Sequence, residues 1–106
     1  MASAAITVSQ YPATIESDTT EAVITKNTAL YTMCGSLTNH GPADVWCIAS
    51  VNSTAATGVA TTGAQAQYQF PLPAGSSVPW PYIYFSVAHK TAGGTAVLSW
   101  HPDFDD

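Results

Sequence analysis

Two cysteines, three histidines and a few carboxylates are the side chains of this chain with metal, redox or acid–base chemistry to offer. Cys34 and Cys47 flank Asn39-His40-Gly41-Pro42, which reads as a turn by residue chemistry. A four-residue hairpin loop there places Cys34 opposite Cys47. Facing residues in a non-hydrogen-bonded pair have Cα atoms ~4.5 Å apart, near the lower limit for a disulfide. A cross-strand disulfide is therefore open geometrically. The preferred expectation is two buried thiols acting as small apolar side chains. Zinc would need two further ligands, and the chain has no Cys-x-x-Cys or His-x-x-x-His spacing.

His40 belongs to the turn, His89 ends a strand before a Gly-Gly turn, and His101 follows the last strand. They are expected to be structural or solvent-exposed, and no metal or cofactor is expected. No serine lies in Gly-x-Ser-x-Gly or close in sequence to a histidine–aspartate pair. Glu16, Asp18 and Glu21 form an acidic loop read as a solvated turn, since the glycine and ligand spacing of a calcium loop are missing. The tail His101-Pro102-Asp103-Phe104-Asp105-Asp106 is acidic and expected to fray. The chain is thus expected to be non-enzymatic. Asn52-Ser53-Thr54 matches a glycosylation sequon, relevant only to a secreted eukaryotic protein.

Aromatic residues offer binding instead. Trp46 and Trp100 sit within strands and are assigned to the core with Phe70, Phe85 and Leu98. Trp80 is held between Pro79 and Pro81 in a corner, followed by Tyr82 and Tyr84 on one strand face. That face is ordinary packing, an oligomer contact or a sugar-stacking platform. Tyrosine and tryptophan suit all three, bringing large apolar area with a polar handle.

The elements that must position these groups are strands. Ala64, Ala66, Tyr68 and Phe70 alternate with three glutamines, the period of a half-buried strand that ends at Pro71-Leu72-Pro73. Tyr82 to His89, with Ile83, Phe85, Val87 and His89 on its core face, turns at Ala92-Gly93-Gly94. It returns as Thr95 to Trp100, a predicted hairpin. Further strand candidates are Ala5–Ser9, Ala22–Lys26, Ala29–Cys34 and Asp44–Val51. Asn52–Gly63 is a connection of small residues. No window carries apolar residues at helical spacing over three turns. One all-β domain spanning 1–106 is expected, a small antiparallel β-sandwich or barrel of about six to eight strands.

Charge excludes some partners. Of 106 residues, 8% are charged, the net charge is −5, and Lys26 and Lys90 are the only basic residues besides histidine. Nucleic-acid binding needs cations to neutralise phosphates, and anionic membranes attract the same groups. Neither partner is expected. The start lacks a basic, then apolar, leader pattern, and no apolar run approaches the ~18 residues of a membrane span. Synthesis in a cytosol is expected.

The Ala/Thr/Gly-rich strands, the short chain and the low charge resemble small virion proteins of tailed bacteriophages, particularly head-decoration (cement) proteins. The stretches that carry the resemblance are Leu37-Thr38-Asn39-His40-Gly41-Pro42-Ala43-Asp44-Val45-Trp46, Pro71-Leu72-Pro73-Ala74-Gly75 and Gly93-Gly94-Thr95-Ala96-Val97-Leu98-Ser99. It implies a β-sandwich or barrel, often trimeric, located in the virion and bound to the major capsid protein. It also implies an N-terminal arm that grips the capsid lattice. Residues 1–15, including Ile6 and Val8, and the corner at Trp80, Tyr82 and Tyr84 are the contacts expected under it. The competing expectation is a carbohydrate- or receptor-binding module using Trp80, Tyr82 and Tyr84.

Overall fold

The computed structural model describes residues 5–26, 34–51, 56, 58–59, 68–81 and 83–103. Every regular element among them is a strand: β1 (Ile6–Val8), β2 (Ala13–Ser17), β3 (Ala22–Lys26), β4 (Gly35–Pro42), β5 (Val45–Ser50), β6 (Gln69–Leu72), β7 (Ser77–Trp80), β8 (Ser86–Thr91) and β9 (Ala96–Pro102). They form a five-stranded sheet, β1-β3-β8-β5-β6, and a four-stranded sheet, β2-β9-β4-β7. All pairings are antiparallel except β1 with β3. The all-β sandwich expected from the alternation is the fold observed.

Between the sheets lies one core of Val8, Ile15, Ile24, Leu37, Val45, Cys47, Leu72, Trp80, Val87, Leu98 and Trp100, among others. On β4 the buried residues are Gly35, Leu37, Asn39 and Gly41, alternating with Ser36, Thr38, His40 and Pro42 toward solvent. Such alternation follows from the two-residue period of a strand with one solvated face. β8 breaks the rule, since Ser86 to His89 are all buried. Its inner face supplies Val87 to the main core. Its outer face places Ala88 in a second cluster with Ala56 and Val59, flanked by Val23, Trp46 and Ile48. Trp46 is thus half-buried on the outer face of its sheet and not in the main core.

Strand connectivity departs from the expected hairpins. The chain changes sheet at every connection except β5 to β6. β8 and β9, on either side of Ala92-Gly93-Gly94, therefore lie in different sheets. Because β8 is central, its two edges are taken by β3 and β5, leaving no edge for β9. A Gly-Gly turn between β-rich runs looks alike in sequence whether the strands pair or arch across a core. The turn itself is closed by Thr91 Oγ1 donating to the carbonyl of Gly94, whose φ of +79° favours glycine.

The same correction applies at Asn39–Pro42. These residues continue β4, and the crossing falls at Ala43-Asp44. Asn39 is buried, and its amide donates to the carbonyls of Ala43 and Leu72, both at 2.9 Å, while Oδ1 accepts from Gly41 N at 2.7 Å. Those bonds hold the arch. The structure also extends strand order across prolines. Pro71 lies inside β6 and Pro79 inside β7, each at the edge of its sheet, where a missing amide hydrogen is tolerated. Of the strand expected over Ala64–Phe70, residues 64–67 lie outside the described residues, as do residues 29–33 of the strand expected over Ala29–Cys34. The strand expected from Tyr82 begins at Ser86, preceded by a turn in which Tyr84 N donates to the carbonyl of Pro81.

Candidate binding surface

Trp80 is not presented by its proline corner. β7 pairs with β4 so that Trp80 faces Gly35 and Val78 faces Leu37, which turns the indole inward. It is 1% exposed, packs edge-to-face on Trp100 with centroids 5.1 Å apart, and donates Nε1–H to the carbonyl of Tyr84 at 2.9 Å. Gly35 makes room for this pair: a Cβ there would come within 2.4 Å of the Trp100 ring. Of the expected arm contacts, Val8 is buried in the core and Ile6 is half-buried against it. β1 runs parallel to β3 as part of the sandwich, so these side chains stabilise the fold instead of reaching outward. Tyr82 lies outside the described residues.

Tyr84, half-buried, packs against the core as Phe70 does. Its ring stacks on Phe70 at 6.4 Å and 13°, and meets Tyr68 edge-on at 6.3 Å. Tyr68 carries a φ of +68°, unusual for a bulky side chain, and its ring is 37% exposed. Backbone held in that region gathers at functional sites. Phe85 N donates to the carbonyl of Ser50 and Ala49 N to that of Tyr68, so the ends of β5, β6 and β8 converge here. Val51 follows Ser50 and Ile83 precedes Tyr84, at 41% and 44% exposure. Three of the five exposed large hydrophobic residues among those described therefore gather at this end of the five-stranded sheet. The repeated i, i+2 spacing of Tyr68/Phe70 and Tyr82/Tyr84 is the sequence signal for the cluster. The left-handed turn that exposes Tyr68 has none.

Polar groups form three separate arrangements. Across the core, His89 Nδ1 lies 2.7 Å from Ser17 Oγ, and both side chains are buried. A serine–histidine pair is the core of nucleophilic catalysis; here Ser17 is 1% exposed and His89 0%. On the outer face of the four-stranded sheet, Thr14, Ser99, Thr38 and Ser77 make one row of hydroxyls across all four strands. His40 Nε2 and His101 Nε2 approach Ser99 Oγ at 2.8 and 3.1 Å. The two imidazoles reach in along the strands from opposite sides and converge on this one hydroxyl. No group of three or more metal-ligating residues occurs among the described residues.

The acidic loop is structural. Glu16 lies in β2, Asp18 Oδ1 accepts from Thr20 N, and the Glu21 carboxylate accepts from Gly58 N and Val59 N at 3.0 and 2.7 Å. Glu21 thereby pins the connection that covers Ala88. Cys34, just before β4, and Cys47, in β5 of the other sheet, are free thiols. Cys47 faces His89 and Phe70, and burial pushes its thiol well above the usual range. The carbonyl of Cys34 accepts from Asp103 N. Lys26, at the end of β3, is buried; burial lowers its amine's proton affinity, which nearby Cys34 partly restores. No helix among the described residues is long and apolar enough to cross a membrane.

Comparison with known proteins found no matching family model, no matching curated protein and no matching solved structure.

Proposed function

We propose that this protein is a non-catalytic structural component of a virus particle, a decoration protein that binds the major capsid protein and its own copies, as a trimer, through apolar contact. The observation that carries the reading is the gathering of Val51, Tyr68, Ile83 and Tyr84 at one end of a sandwich that carries few charges. Aromatic residues enrich the centres of protein interfaces, and few charges mean little desolvation cost when such a surface is covered. Tyr68, Tyr84 and Ile83 replace Trp80, Ile6 and Val8 as the contact residues in this proposal. The direct experiment is peptide mass spectrometry of gradient-purified particles from the source lysate. Peptides of this chain should band with the particles and be lost with Tyr68→Ser/Ile83→Ser. Their absence from particles would overturn the assignment.

The stack of Tyr84 on Phe70, with exposed Tyr68 at its edge, also favours a carbohydrate- or receptor-binding module. A glycan array separates the two: binding lost with Tyr68→Ser or Tyr84→Ser, together with no particle association, selects this second reading.

A further inference from the structure

His89 is the most tightly enclosed titratable group that the proposed contact surface does not use. It lies on the inner face of β8, between Ala22 on β3 and Cys47 on β5, and has 0% exposure. Its ring crosses the sandwich to the edge strand of the opposite sheet, where Nδ1 meets Ser17 Oγ at 2.7 Å. Nε2 is buried without a hydrogen-bond partner. One further tie joins the same two strands: Thr91 N, at the end of β8, donates to the carbonyl of Asp18 just past β2, at 2.8 Å. β2 has β9 on one side in its own sheet. Across the sandwich it is held by Ile15 in the core and, at its end, by this seam.

The site accepts a neutral imidazole and not a charged one. An imidazolium has two N–H donors, and this enclosure offers one acceptor, the hydroxyl of Ser17. The carboxylates of Asp18 and Glu21 favour the charge from a distance, but both already accept backbone N–H groups elsewhere. The Cys47 thiol beside the ring is neutral, and Ala22 and Ala96, which pairs with Ser17, bring no charge. We propose that His89 is a proton-operated catch: protonation releases β2 from β8 and opens the sandwich along the Ser17–His89 seam. A buried charge without a second acceptor is relieved by swinging the ring to water, and that requires Ser17 and Asp18 to move.

Burial lowers the His89 pKa from 6.5 to about 4, opposed by Asp18 and then Glu21. In the opened seam the ring regains its ordinary value. The open form therefore binds more protons between those limits, and it gains as pH falls. From pH 7 to pH 5 its population should rise about 20-fold.

Amide hydrogen exchange of the full chain at pH 7 and pH 5, corrected for intrinsic rates, reads this directly. The expected result is about 20-fold faster exchange in β2 at pH 5, with β4 and β5 changing less. In His89→Asn, which keeps a partner for Ser17 but does not titrate, β2 exchange should be independent of pH over that range. An acid response in His89→Asn equal to that of the native chain would overturn the proposal, because carboxylates would then be the cause. Should that variant not fold, an NMR titration of the native His89 ring replaces it. A midpoint near 4 supports the catch, and one at or above 6 overturns it.

Discussion

Trp80 and Trp100 meet edge-to-face at 5.1 Å over Gly35, one from the edge strand β7 and one from β9, with β4 between them. This contact joins the proline-flanked corner to the centre of the sandwich. Trp80→Ala should lower stability by about 3–5 kcal/mol through loss of the ring and the cavity left behind. Urea unfolding followed by the remaining tryptophan fluorescence measures it. A loss under about 1 kcal/mol would show that the ring is not packed as described.

Asn39 holds the arch between the sheets with three side-chain hydrogen bonds. Asn39→Ala strands the buried carbonyl of Leu72 and should cost about 2–4 kcal/mol. Asn39→Asp should be no better, since a carboxylate cannot donate to the two carbonyls the amide serves. Thermal unfolding of the two variants beside the native chain is the check.

The thiols predict a simple titration. Cys47 is fully buried, and burial disfavours its thiolate, the reactive form. Cys34 is half-exposed at the start of β4. Ellman's reagent should therefore modify Cys34 in the folded protein and Cys47 only on unfolding, with no change of either on prior reduction. Prompt reaction of both, or of neither until reduction, would contradict the separation of Cys34 and Cys47 in different sheets.

His89 also sets the pH dependence of global stability. Its folded pKa of about 4 lies below the unfolded value of 6.5, so the unfolded chain binds more protons between them. Stability from this group is complete above about pH 6.5 and is lost progressively as pH falls toward 4. The loss between pH 7 and pH 5 should be about 2 kcal/mol. Urea midpoints at the two pH values, with His89→Asn as the non-titrating control, measure that difference.

Much of the architecture was legible in the sequence because a period of two reports a half-buried strand wherever it occurs. Val87 and His89, expected on the core face of their strand, lie on the inner face of β8. Connectivity was not legible. Ala92-Gly93-Gly94 and Asn39–Pro42 have hairpin chemistry, but β8 is flanked by β3 and β5, and β4 by β9 and β7, so the first became an arch and the second continued β4 to an arch at Ala43-Asp44. That outcome depends on which distant strands take each edge, which local residues do not encode. The site was partly legible: Tyr84 lies beside exposed Tyr68 and Ile83, whereas Trp80 was drawn inward by its register with Gly35. Tyr68 is exposed where its backbone turns left-handed, while Phe70 packs against the core as expected. Glu21 looked solvated because its partners, Gly58 and Val59, are far away in sequence.

The most direct test of the proposed contact surface is the native mass of the full chain by light scattering, measured beside Tyr68→Ser/Ile83→Ser. The account predicts three times the 11.0 kDa chain mass for the native protein and a monomer for the variant, with unchanged unfolding midpoints. A native chain that stays monomeric at high concentration, or a variant that assembles equally well, would contradict the assignment of this end as the contact.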